Sequence, residues 1–185
     1  GSEDLHPATA GDPVAVCVDC GEAYGALCRS RTPAQMIAVY LASPGNREQC
    51  EVLRGMPVLI SYGARLSYVE REYIPTFSRF LIDSGAFSEL NTGKKIDLAA
   101  YVDWSARWLG HADAIAGLDN IAGDWRQSLR NYAAFPQGFP TFHDTDPEEL
   151  LDDLIPLARR AGGWLGLGLK PPRDGKERWI RAACD

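Results

Sequence analysis

The stretch Arg79-Phe80-Leu81-Ile82-Asp83-Ser84-Gly85-Ala86-Phe87 decides the fold. A short apolar run, with no alternation of polar and apolar positions, ends directly in a carboxylate, a hydroxyl and a glycine. Strands of that kind are apolar on both faces, as in a parallel sheet covered by helices. The same grammar recurs outward from it. Upstream lie MIAVYLAS at 36–43 and PVLISYGA at 57–64, followed respectively by the polar NREQCEVLRG and by an amphipathic segment around Tyr68 to Phe77. Downstream, the short runs ADAIAGLDN at 112–120, FPTFHD at 139–144 and GWLGLGL at 163–169 are separated by longer amphipathic ones.

The longer runs read as helices. Leu98, Tyr101, Val102, Ser105, Trp108 and Leu109 fall at i, i+3, i+4, i+7, i+10 and i+11, one face of a helix over 97–109. DWRQSLRNYAAF at 124–135 and GKERWIRAAC at 175–184 are further helices. Asp146, Pro147 and Glu149 combine an N-cap, a proline at the first helical position and a capping-box acid, so a helix is expected from 147, kinked by Pro156. Strand and helix alternate about six times, which makes the chain α/β. The two arrangements open to such an array are a doubly wound sheet and a TIM-barrel-like (β/α) array. A full eight-fold barrel takes about 250 residues, so a barrel here would be truncated, two units short.

The chain has 185 residues, 45% hydrophobic and 24% charged, an ordinary globular balance. Residues 1–35 are rich in Gly, Ala, Pro and Thr and read as an irregular N-terminal arm with one strand near Val14 to Val18, and 36–185 form the α/β domain. No stretch approaches the roughly 20 apolar residues of a membrane helix, and no signal-peptide pattern opens the chain. The expected partners therefore exclude a membrane, and the expected location is cytoplasmic. The net charge of -6 gives no global attraction to phosphate, so any nucleic-acid contact must be local. Arg29, Arg31, Lys94, Lys95, Lys170 and Arg173 are candidates for it. Five cysteines, an odd count, argue for reduced thiols. Cys17 and Cys20 form the single C-x-x-C, and with Cys28 and His6 or Cys50 they could make a zinc site. The simpler reading is packing of small apolar side chains.

Parallel α/β proteins bind ligands at the C-terminal ends of their strands, and each apolar run here ends in polar residues or glycines. The successive endings are Ser61-Tyr62-Gly63, Asp83-Ser84-Gly85, Asp119-Asn120, His143-Asp144 and Gly166-Leu167-Gly168. A carboxylate after Phe80-Leu81-Ile82 is costly to bury unless it is bonded or used. A turn cap would also account for it, and the same holds for Asp119. His143 fits a ligand, a proton shuttle or a satisfied half-buried imidazole. Gly166 and Gly168 fit close backbone approach to a flat ligand better than a phosphate loop, because no third glycine or helix start follows at dinucleotide spacing.

These motifs resemble the tRNA-guanine transglycosylases. LIDSGAF at 81–87 is similar to their D-S-G-G-F motif, GLDN at 117–120 to their second strand-end aspartate, and GWLGLG at 163–168 to their glycine-rich substrate strand. The likeness is greatest to the short phage and bacterial relatives grouped with deoxypurine-in-DNA protein A, which insert 7-deazaguanines into DNA, and it spans about Met36 to Trp179. Ala86 stands in place of the second glycine and Ser88 in place of the usual glutamine. The resemblance implies a TIM barrel that exchanges bases without a cofactor, and a nucleophile on a later strand. It also implies catalytic roles for Asp83, beside the base, and Asp119, on its edge. Ser84, Gly85, Phe87, Asn120, His143, Gly166 and Gly168 would be substrate-binding residues.

The leading expectation is thus a base-exchange transglycosylase (a pentosyl-transferring glycosyltransferase) that acts on a purine or 7-deazapurine base in DNA or RNA. It would use no metal or other cofactor. Phe87 or Tyr62 would stack on the ring. Two alternatives use the same residues. One is a metal-dependent hydrolase with Asp83, Asp119 and His143 as ligands. The other is a non-catalytic module that keeps the base pocket.

Overall fold

The computed structural model describes residues 15–17, 39–64 and 67–168, with backbone alone for 15–17. The apolar run that ends in Asp-Ser-Gly forms β3 (Arg79–Asp83), flanked by β2 (Pro57–Ser61) and β4 (Ala114–Ile115). All pairings are parallel, with Leu59↔Leu81, Ile60↔Ile82 and Ser61↔Asp83 on one side and Ile82↔Ile115 on the other. A second parallel sheet has the order β1 (Ala15–Cys17), β6 (Leu165–Gly168), β5 (Thr141–His143). A parallel bridge from Ala116 to Phe139 links the two sheets, and another attaches Leu41 to Val58. From residue 41 to 168, neighbouring strands therefore follow chain order, and β1 adds beyond β6. Among the described residues the strands do not close into a ring. The chain is a mixed α/β protein with parallel strands, as expected.

Both faces of the sheet are covered, which explains the absence of polar alternation. Val58, Ile60, Phe80 and Ile82 point to one side, where they pack with Tyr101 and Trp104 of α3 (Leu98–Ala106) and with Cys50 of α1 (Arg47–Val52). Leu59, Leu81, Ala114, Ala116 and Phe139 point to the other. Burying side chains of this size stabilises by about 2 kcal/mol each. By the same alternation, Asp83 continues the face of Leu59 and Leu81.

The helices start where short polar side chains cap them. Asn46, Asp97 and Asp124 each accept a backbone N–H three residues on, opening α1, α3 and α4 (Trp125–Ala134). Several local expectations are corrected. α2 (Ala86–Thr92) was not visible in the sequence pattern; it begins after Gly85 and stops at Gly93, both in the left-handed region. The segment at 68–77 is a π-helical turn, Val69–Tyr73, followed by a 3-10 turn, Ile74–Thr76, because Pro75 has no N–H to continue an α-helix. α3 ends early, so Leu109 is 42% exposed, while Trp104, on the turn before, is buried in its place. Asp146 does not cap the next helix: Pro147 takes that position, Glu148–Leu150 form a 3-10 turn, and α5 (Leu151–Arg160) follows, with Pro156 inside it.

The strand anticipated at 14–18 exists as β1, paired parallel with β6. The expected helix at 175–184 and the residues His6, Cys20 and Cys28 lie outside the described residues, as do Arg29, Arg31, Lys170 and Arg173. Cys50 is buried in the core. No helix among the described residues is long and apolar enough to cross a membrane.

Candidate functional site

At the C-terminal ends of β3, β4 and β5 the polar endings come together. His143, the last residue of β5, has Nε2 2.8 Å from Asp119 Oδ2 and Nδ1 3.3 Å from Asp146 Oδ2. The three side chains are only 11%, 8% and 7% exposed respectively. Asp146 Oδ2 also accepts the backbone N–H of His143 at 2.8 Å. Ser84, which is buried, donates from Oγ to the other oxygen of Asp119 in a long contact of 3.4 Å. This contact ties the Asp-Ser-Gly ending of β3 to the Asp-Asn ending of β4. Burial alone would push His143 down, but the hydrogen bonds and charges of Asp119 and Asp146 outweigh it and raise its pKa to about 9. At neutral pH His143 is an imidazolium between two carboxylates.

Two buried tyrosines frame this group. Tyr101 donates from its hydroxyl to the Ala116 carbonyl. Burial, then the charge of Asp83 and also that of Asp119, holds its hydroxyl well above the usual range. Tyr132 of α4 accepts the Thr141 N–H, and burial and then Asp119 raise it likewise. The next turn of β4 is held from α4: Ser128 Oγ accepts the Asn120 N–H at 2.8 Å, and Asn131 Nδ2 donates to the Leu118 carbonyl at 2.9 Å.

Asp83 Oδ2 accepts the Gly85 N–H at 2.9 Å, closing a tight turn. Gly85 is required there twice over: its φ is +81°, and a Cβ would lie 2.4 Å from the Gly63 nitrogen. The approach that this glycine permits is to the Ser-Tyr-Gly loop after β2. Gly168 serves His143 in the same way, because a Cβ there would meet the imidazole Cδ2 at 2.3 Å. Gly166 faces Thr141 and Phe139. The two β6 glycines therefore make room for side chains of β5. Phe87, at the start of α2, is 46% exposed, and Tyr62 packs against Tyr101 and Trp104. Lys95 pairs with Glu89, and Lys94 is exposed.

Of the residues singled out in the sequence, the structure brings Ser84, Asp119 and His143 into direct contact, with Asp83, Gly85, Asn120 and Gly168 adjoining. Sequence reasoning missed Asp146, which looked like a cap, along with Ser128, Asn131, Tyr101 and Tyr132. The polar residues Ser128 and Asn131, three apart on the buried face of α4, were the available signal. Both imidazole nitrogens of His143 face carboxylates. Among the described residues no group of three or more His, Cys, Asp or Glu side chains is placed to hold a metal ion. Comparison of the chain with protein-family models, with curated proteins and with solved structures finds no match in any of the three.

Proposed function

We propose that the chain is a base-exchange transglycosylase acting on a purine or 7-deazapurine base in nucleic acid, with its parallel strands forming most of a TIM-type barrel. The observation that carries this reading is the convergence of Asp83, Ser84, Asp119 and His143 at the C-terminal ends of three consecutive parallel strands, where such folds place their chemistry. Support for the barrel comes from the chain-order succession of strands from residue 41 to 168 and from the addition of β1 beyond β6.

Base exchange breaks the glycosidic bond to the departing base and forms one to the incoming base at the same anomeric carbon, so a carboxylate must take the ring N–H proton of the incoming base and return it to the ring nitrogen of the departing one, on a rigid frame that aligns it. Asp83 is the working carboxylate, carried on a turn that Gly85 makes possible. Asp119 is a positioning residue: the His143 imidazolium and Ser84 engage its two oxygens, and through Ser84 it aligns the Asp83 turn. Asp146 completes the clamp on the imidazolium. With a net charge of -6, the chain suits a single nucleotide flipped into the site better than a long duplex footprint.

The test is exchange itself. The full chain, in chelator, is incubated with isotopically labelled guanine or 7-deazaguanine and either a DNA duplex or tRNA, and the nucleic acid is then digested and weighed by mass spectrometry. Label in the nucleosides supports the reading. If no label enters either polymer and no base binds at millimolar concentration, the reading is wrong.

A further inference from the structure

Both ring nitrogens of His143 lie against carboxylate oxygens, Asp119 Oδ2 at 2.8 Å and Asp146 Oδ2 at 3.3 Å. An ionised carboxylate only accepts, and an imidazole donates from both nitrogens only as the cation. The geometry itself therefore calls for two ring protons. Asp146 is committed to this arrangement at the expense of another. It stands directly before Pro147, where a carboxylate ordinarily caps a helix, yet the helical turn that follows has no side-chain cap. Its Oδ2 turns back to the ring and the backbone N–H of His143, and its own N–H donates to the His143 carbonyl at 3.0 Å. The other ionisable side chains about this group are Asp83 and Asp144 at the adjoining strand ends and the phenols of Tyr101 on α3 and Tyr132 on α4. Both phenols are held well above their usual range, by burial first. β6 presents only Gly168 to the ring.

On its far side Asp119 reaches Ser84 at 3.4 Å. Ser84 lies between Asp83 and Gly85 in the turn that the Asp83 carboxylate closes, and its Oγ also accepts the Ala86 N–H. One chain of contacts thus runs from Asp146 through His143, Asp119 and Ser84 to the Asp83 turn. A neutral ring has one N–H for two buried carboxylates. Either Asp119 then faces a bare nitrogen and keeps only its long contact with Ser84 among the described residues, or Asp146 faces it and pushes the ring away. Both outcomes loosen Asp119, because a buried carboxylate without its cation is costly to hold in place. We propose that Asp146 is a positioning residue that keeps His143 doubly protonated, and that this proton, through Asp119 and Ser84, sets the position of the Asp83 turn. The use of this coupling in catalysis rests on the base-exchange reading; the coupling itself stands without it.

NMR of the full chain tests it, with the ring nitrogens of His143 and the backbone amide of Gly85 followed from about pH 6 to about pH 10. In the wild type the Gly85 amide shifts along the same curve as the ring, whose pKa is raised to about 9. In Asp146→Asn both curves move down together by at least about one pH unit. In Ser84→Ala the ring still titrates and the Gly85 amide no longer follows it. The alkaline limb of kcat for base exchange tracks the His143 curve and moves down with it in Asp146→Asn. A Gly85 amide that stays still while the wild-type ring titrates overturns the proposal, even if neither variant folds. A His143 curve left in place by Asp146→Asn, a Gly85 amide that still follows the ring in Ser84→Ala, or an exchange profile that ignores the His143 curve also overturns it. Linked titrations in a chain that exchanges no base at any pH uphold the coupling and overturn the base-exchange reading instead.

Discussion

At the N-terminal ends of β3 and β4, Arg79 donates to both oxygens of Asp113 at 3.1 Å, and the Tyr40 hydroxyl donates to the same carboxylate at 2.7 Å. At the C-terminal ends of β4 and β5, His143 lies between Asp119 and Asp146. Both are cation–carboxylate groups built across neighbouring strands, and they differ in their access to water. The Arg79 and Asp113 side chains are 49% and 24% exposed, against 11% and 8% for His143 and Asp119. Exposed pairs contribute little to stability and cost little to form. A buried pair forfeits several kcal/mol of hydration per ion and persists only when fully bonded, and such groups concentrate at functional sites. The N-terminal rim is fastened in solvent, while the C-terminal rim holds charge in a dry setting.

The largest expected effect that separates the rims is His143→Ala. It leaves two buried carboxylates without their shared cation and should lower the unfolding free energy by about 3–5 kcal/mol in urea denaturation. A loss below about 1 kcal/mol would mean that the rim is wet and the contrast between the two ends false.

The next effect is the response to pH. The folded pKa of His143, about 9, lies above its ordinary 6.5. Its contribution is therefore complete below pH 6.5 and is lost as pH rises through 9, a decline of about 3 kcal/mol. Denaturation curves between pH 6 and 9.5 should show that decline in the wild type and a flatter line in His143→Gln, which separates it from the burial-raised thiol of Cys50. Parallel lines would break the assignment.

At the other rim, Arg79→Ala should cost only about 1 kcal/mol, since the pair it breaks is half in water. High salt should erode that difference further. A loss comparable to that of His143→Ala would erase the distinction between the two ends.

Much of this contrast could be read in the sequence, and the missing parts have a common cause. Apolar runs ending in Asp83, Asp119 and His143 identified a parallel sheet and the end that carries its polar groups, because burial on both faces and strand-end polarity are local patterns. The partner of each polar residue is not local. Asp146, with Pro147 and Glu149 beside it, had every mark of a helix cap, yet its carboxylate turns back to His143. Nothing local ties Asp113 to Arg79, and the two meet because β4 lies beside β3. Gly166 and Gly168 suggested an open wall, whereas the Thr141 and His143 side chains of the neighbouring strand fill that space. β1 sat in an irregular arm on composition alone, and its place beside β6 is a contact across the length of the chain. α2 was missed because Ala86–Thr92 is too short to show a period and starts from the left-handed Gly85.

The most direct test of the central claim, that the C-terminal rim is the working end, sets Asp83→Asn beside Arg79→Ala in the base-exchange measurement, with the unfolding midpoint taken on the same preparations. The amide keeps the oxygen that accepts from Gly85, so Asp83→Asn should change stability by less than about 1 kcal/mol. It should lower exchange by roughly 10²–10⁴-fold, the usual worth of a positioned carboxylate. Arg79→Ala should be the less stable of the two and exchange at the wild-type rate. Wild-type exchange by a folded Asp83→Asn, or a loss of exchange in Arg79→Ala that matches it, would contradict the account.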